Sequence, residues 1–236
     1  MTHQIFIANR RRQPKSLLEE FGDIPIFDVT FAGGDPLLST LSPMYPHGDL
    51  PVPYSERTLT ANSLEAIWQG LKVFEHEGAR LDAVALSKSG DKNIKRPSTE
   101  KRGRVLGHQQ GLHTDRPLLS LIDARSFIYA PLYRWQLQHH CQEALARLNE
   151  ALAQSDIVLL EAGNESNICD IFVPMVHSEL LRLFLLGQYP ECGEKHPWQP
   201  YTKAEHEADI ERRKQAKKER IKQQKLLLKQ QSLLLD

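Results

Sequence analysis

Apolar positions along the chain fall into two kinds of block. QIFIA (4–8), IPIFDVT (24–30) and DIVLLEAG (156–163) are compact runs rich in β-branched and aromatic residues. Such runs predict short buried strands, and the third, bounded by Asp156 and Gly163, reads as a central one. The other blocks carry a helical period. KSLLEEFG (15–22) predicts a short helix ended by Gly22. From Asn62 onward Leu64, Ile67, Leu71 and Phe74 recur every three or four residues. Asn62 as N-cap, with Glu65 three positions later, completes a capping-box pattern. A second helix is predicted through IDARSFIYAPLYRW, kinked or split at Pro131. It resumes to about Ala153, with Leu137, Cys141, Ala144, Leu145, Leu148 and Leu152 facing inward. MVHSELLRLFLLG (175–187) predicts a further helix between Pro174 and Gly187.

Between these elements lie two polar stretches. Residues 31–58 hold five prolines and three glycines, which predicts a long irregular loop. Residues 87–104 carry seven Lys/Arg against two acidic groups and read as an exposed basic loop. After PWQP (197–200) glycine and proline disappear. The chain thus divides into a globular body, residues 1–197, and a basic helical tail, residues 198–236. Fold class follows as α/β and α-rich, with a few short strands in a single domain plus a C-terminal extended helix.

Charge sharpens this division. The 236 residues balance 30 basic against 30 acidic groups. From residue 201 on there are ten Lys/Arg and six Asp/Glu, leaving twenty against twenty-four in residues 1–200. With Ile210 as a heptad a position, the tail's core sites are Ile210, Lys214, Lys217, Ile221, Gln224, Leu228, Gln231 and Leu235, only half of them apolar. That is too few for a stable coiled coil. A solvated, frayed basic helix is the first reading; pairing with a partner, or nucleic-acid contact, are the alternatives. Three cysteines, with no CxxC pair, argue against a disulfide framework and for a reduced, cytoplasmic setting. No run approaches the ~20 apolar residues of a membrane span, and the N-terminus lacks a signal-peptide pattern.

On a helical wheel Glu65, Trp68, Gln69 and Lys72 form one stripe opposite the apolar face. A carboxylate, an indole, an amide and an ammonium so aligned suit the wall of a polar pocket. The same stripe is also what an ordinary surface helix presents. The 87–104 loop, with GRVLG (103–107) and Arg10–Arg12, offers phosphate-binding chemistry, although no P-loop pattern is present. Ten histidines assemble no metal-ligand spacing, since Cys192-x3-His196 has no second pair, and no cofactor is expected.

LSPMYPHG followed by NSLEAIWQGLKVF resembles the signature of the NADAR (NAD and ADP-ribose associated, YbiA-like) superfamily. Ser42, Tyr45 and Pro46 match its first segment; Glu65, Trp68, Gln69, Lys72 and Phe74 match its Glu-x-x-aromatic-Gln-x-x-Lys-aromatic helix. IVLLEAGNES (157–166) is similar to its strand ending in a carboxylate, here Glu161. Ala66 replaces the usual His, and NESNICD stands where an Asp-x-x-Trp-Gly segment is typical, so the chain resembles a divergent member. The resemblance implies a YbiA-like domain and N-glycosidase chemistry on the ribosyl–base bond of an ADP-ribosylated nucleobase or related nucleotide. It implies Glu65 and Glu161 as a catalytic carboxylate pair, and Trp68 or Tyr45 stacked on the base. Ser42 and Gln69 belong to the same substrate site, with Lys72, Arg104 and Arg125 at phosphates and Asn164 at ribose hydroxyls. Two alternatives stand beside it: a non-catalytic ADP-ribose or nucleotide-binding module, and an interaction protein acting on nucleic acid or protein through residues 201–236.

Overall fold

The structure is a computed structural model and describes residues 3–55, 59–80, 102–193 and 198–233. It is an α/β protein. Strands β1 (Ile5–Asn9), β2 (Ile26–Asp28) and β7 (Ile157–Glu161) form a parallel sheet in the order β1-β7-β2. Ile5 pairs with Ile157 and Asn9 with Glu161, so β7 runs up the middle. Both faces are covered. Ile5, Ile7, Ile157 and Leu159 point into the main core. Phe6, Ala8, Val158 and Leu160 alternate to the other face, against Leu17 and Phe21 of α1 (Pro14–Phe21). Gly22 ends α1 at φ 77°, as its position predicts.

The 31–58 stretch holds a single turn of helix, α2 (Pro36–Ser39), and the two-residue strand β3 (Leu50–Pro51) paired with β4 (Thr60–Ala61). Helix α3 (Leu64–Gly70) is capped by Ser63, whose hydroxyl accepts from Ala66 N at 3.2 Å. Asn62 is therefore not the cap, and the Glu65 carboxylate does not fold back in a capping box. The helix also ends earlier than the apolar spacing predicts. After Gly70 the chain turns, and Lys72 and Phe74 belong to β5 (Lys72–Phe74), antiparallel to β6 (Val105–His108).

Helix α4 (Leu121–Ala124) runs into a π-helical turn, Arg125–Tyr129, closed by Ala130 N–H donating to Arg125 O. The wider turn resolves the conflict at Pro131, which then sits in the first turn of α5 (Ala130–His140), where its missing N–H is no loss. The break predicted at Pro131 occurs instead at Cys141, φ −114° and ψ 19°, before α6 (Gln142–Gln154) begins. The fully buried Tyr133 donates to Leu41 O at 2.9 Å and anchors α5 to the irregular segment. Helix α7 (His177–Leu185) packs against β1 and β7.

The tail is one helix, α8 (Lys203–Leu233), but it is not free in solvent. It docks on the body through a polar face. His206 Nδ1 lies 2.7 Å from Asp170 Oδ2, and Asp209 is buried. Glu20 of α1, 3% exposed, receives Arg12 at 2.7 Å, Arg220 at 2.9 Å and Lys217 at 3.6 Å. The expectation of a frayed, solvated tail is thus corrected for residues 206–224. Among the described residues no helix is long and apolar enough to cross a membrane. Most of the 87–104 loop, and His196, lie outside the described residues.

Candidate functional site

A cleft of about 680 Å³ opens between α3, the β5–β6 hairpin, the π-helical turn and the segment 171–175. That is the size of a small-molecule site. Its polar wall is the α3 stripe. Gln69 Nε2 donates to Glu65 Oε1 at 2.8 Å, and Lys72 Nζ donates to Gln69 Oε1 at 2.9 Å. Lys72 keeps this contact although it lies on β5, because the turn after Gly70 brings it back beside the helix. The chain of bonds fixes one carboxylate oxygen and leaves Oε2 of Glu65 outside it. Trp68 lines the same wall, its indole 4.1 Å from the His108 ring and edge-on to Tyr129 at 5.4 Å. The opposite lip is apolar: Leu106, Leu121, Ile171 and Phe172 all remain partly exposed at its edge. Gly107 keeps the hairpin close to its support, since a Cβ there would fall 2.7 Å from Leu119 O.

Burial pushes the Tyr129 phenol well above its ordinary pKa, and the negative charges of Glu65 and Glu161 push in the same direction. It stays a neutral O–H donor. Two residues of the π-helical turn, Arg125 and Tyr129, reach the cleft. Arg125 lines it with a guanidinium fastened to backbone carbonyls. Its guanidinium donates to the carbonyls of Ile168, Asp170 and Val173 at 2.8–3.0 Å. These bonds make it a staple that holds the lip in place.

Glu161 does not face the cleft. It is 5% exposed, at the end of β7, with Oε2 2.6 Å from His177 Nδ1. Oε1 accepts from Ala162 N at 2.7 Å. Burial raises the Glu161 pKa, but the charge and hydrogen bond of His177, with the N–H groups of Ala162 and Ser178, outweigh it and lower it overall. The other ring nitrogen of His177 lies 3.0 Å from Val29 O. Each ring nitrogen of His177 thus has an oxygen beside it. Glu161 is one half of a closed, buried pair, and the expected pairing with Glu65 across a sugar-sized hollow is not formed.

The remaining expected residues also lie away from the cleft. Ser42 is buried in the turn before α3, where its hydroxyl accepts from Met44 N and its carbonyl from Gln136. Tyr45 packs between Phe31 and His47. This segment buttresses the helix, because Glu65 N donates to Pro43 O at 2.9 Å. Arg104 pairs with Glu75 on the surface. Asn164 is exposed. The structure therefore brings together Glu65, Trp68, Gln69, Lys72 and Arg125 and leaves out Ser42, Tyr45, Arg104, Asn164 and Glu161. It adds His108, Tyr129 and the apolar lip. Of these, His108 alone lay beside a sequence signal, the GRVLG stretch at 103–107 that precedes it.

Fold and site together define an α/β protein with one polar and one apolar wall around an open cleft of small-molecule size. The chain belongs to DUF6939, a family of unknown function, and the match spans residues 9–181. That span contains every residue lining the cleft and none of α8. No curated protein and no solved structure matches the chain.

Proposed function

We propose that the cleft binds a ribosyl–base compound and hydrolyses its N-glycosidic bond, in the manner implied by the NADAR resemblance and on a YbiA-like domain. The observation that carries this reading is the Glu65–Gln69–Lys72 chain beside Trp68 inside one cleft. Glu65 takes the central role alone. Gln69 orients the carboxylate, whose Oε2 accepts a proton from water as the water adds to C1′. The C1′–N bond breaks, its electron pair leaves with the base, and the departing nitrogen takes the proton that Glu65 received from water, which regenerates the carboxylate. Positive charge developing on the sugar is stabilised by the same carboxylate. Lys72 supplies a cation for a phosphate, and Trp68 a flat surface for the base. The substrate class is an ADP-ribosylated nucleobase or a related nucleotide.

The test is incubation with ADP-ribosylated bases, ADP-ribosylated proteins and NAD, followed by mass spectrometry for a released base. Glu65→Gln abolishes release while the fold is kept. Full activity in that variant would exclude the reading.

The closed Glu161–His177 pair favours a second reading, a binding module that holds ADP-ribose without turning it over. Saturable ADP-ribose binding with no product would establish it, and any released base would exclude it.

A further inference from the structure

His108 is placed in the cleft wall with its ring packed on Trp68 and its two ring nitrogens without a partner among the described residues. Its backbone is engaged: N donates to Leu119 O at 3.0 Å, and O accepts from Leu119 N at 2.9 Å. The side chain is different. It is 1% exposed, and neither Nδ1 nor Nε2 has a hydrogen-bond partner among the described residues. Leaving a donor and an acceptor unmade in the interior is costly, and folded proteins rarely do it without a use. His177, equally buried, has an acceptor for each nitrogen. Burial, with Lys72 opposite on β5, lowers the His108 pKa to about 3. The ring is therefore an uncharged imidazole offering one donor and one acceptor. The Trp68 indole packs on the ring, with centroids 4.1 Å apart, and is itself part of the cleft wall.

We propose that His108 is the recognition group for an uncharged, planar nitrogen heterocycle, which enters beside Trp68 as the indole turns and takes a hydrogen bond from, or gives one to, an imidazole nitrogen. This rests on the ribosyl–base reading and deepens it by assigning the base to the Trp68–His108 wall and the sugar to Glu65. A purine or pyrimidine fits. A pyridinium ring does not, because Lys72 already brings a positive charge to this wall and its ammonium lies 5.8 Å from the Trp68 ring. Truncating the recognition would cost affinity without costing fold, since a ring without nitrogens leaves nothing unpaired.

The experiment is a titration of ¹⁵N-histidine-labelled protein with adenosine, ADP-ribose and ribose 5-phosphate, alongside affinity and melting measurements on His108→Phe. Adenosine and ADP-ribose shift the His108 ring nitrogens, and ribose 5-phosphate does not. His108→Phe binds adenosine at least tenfold more weakly and melts no lower than the wild type. ADP-ribose binding that leaves the His108 nitrogens unmoved, with unchanged affinity in His108→Phe, overturns this inference and leaves the ribosyl reading standing. Adenosine binding at His108 without any ADP-ribose binding supports the inference and overturns the ribosyl phosphate reading. Failure of both nucleosides to bind overturns the two together. If His108→Phe does not fold, the wild-type titration carries the test by itself.

Discussion

Two neighbourhoods of the molecule contain a glutamate and a histidine, and they are finished in opposite ways. At the end of β7, Glu161 and His177 use each other, two backbone N–H groups and a carbonyl, so every partner is internal. In the cleft, among the described residues, the Glu65 carboxylate is held by one amide and both nitrogens of His108 are unmatched. The first arrangement stabilises the fold and is closed to chemistry. The second gives up stability and leaves hydrogen-bonding capacity unused among the described residues. Position in a motif distinguishes the two glutamates poorly; the company of their oxygens distinguishes them well.

The comparison breaks most directly at the buried pair. Glu161→Ala leaves His177 buried beside a lost partner and costs about 3–5 kcal/mol in urea unfolding. Glu65→Gln, by contrast, changes stability by less than about 0.5 kcal/mol, as a half-exposed substitution should. Equal costs at the two sites would remove the distinction.

Acid sharpens it. The folded pKa of His108, about 3, lies below its ordinary 6.5, so between those values the unfolded chain binds a proton that the folded one refuses. Stability from a neutral His108 is present above pH 6.5 and falls as pH drops toward 3, at up to about 1.4 kcal/mol per pH unit. His47, lowered to about 4 chiefly by burial, falls in an overlapping window. Subtracting the stability curve of His108→Phe from that of the wild type removes the His47 contribution and isolates the cleft histidine. Glu161 acts lower on the scale. Its depressed pKa contributes stability above 4.5 that disappears as pH falls further, and Glu161→Gln abolishes that acid limb.

A smaller effect is expected at the tail. Glu20→Ala removes the anchor of three cations, of which Lys217 is half-exposed, and costs about 1–3 kcal/mol by thermal unfolding. His206→Ala costs about 1 kcal/mol and loosens the cleft lip, because Asp170 adjoins Ile171 and the Phe172 and His206 rings lie 5.1 Å apart. The readout is weaker ligand binding with little change in melting.

The parallel sheet was legible because both faces of its strands are apolar, and an uninterrupted run is the mark of such a strand. The α3 stripe was legible too, with its start displaced by one residue, since Asn62 and Ser63 are both good caps. The early end of α3 was not. Leu71 and Phe74 continue the helical spacing, and only pairing with residues 105–108, some thirty positions on, draws 72–74 into a strand. The tail's docking face escaped hydropathy because it is polar: His206, Arg213, Lys217, Arg220 and Gln224 meet acidic groups and backbone of the body, while the buried Asp209 pairs with Arg212 and Arg213 of its own helix. His108 and the closure of Glu161 depend on burial and on partners distant in sequence, which no local pattern encodes.

The π-helical turn at Arg125–Tyr129 amounts to one residue more than an α-helix needs for the same path. A single-codon deletion there would restore the regular ladder and leave α5 on its path, while changing the angle between Arg125 and Tyr129 about the helix axis. Arg125 and Tyr129 would then point in different directions, one still fastening the lip and the other withdrawn from the wall. The reading frame of the gene would survive such an event, while the cleft would lose its geometry at the joint between two helices.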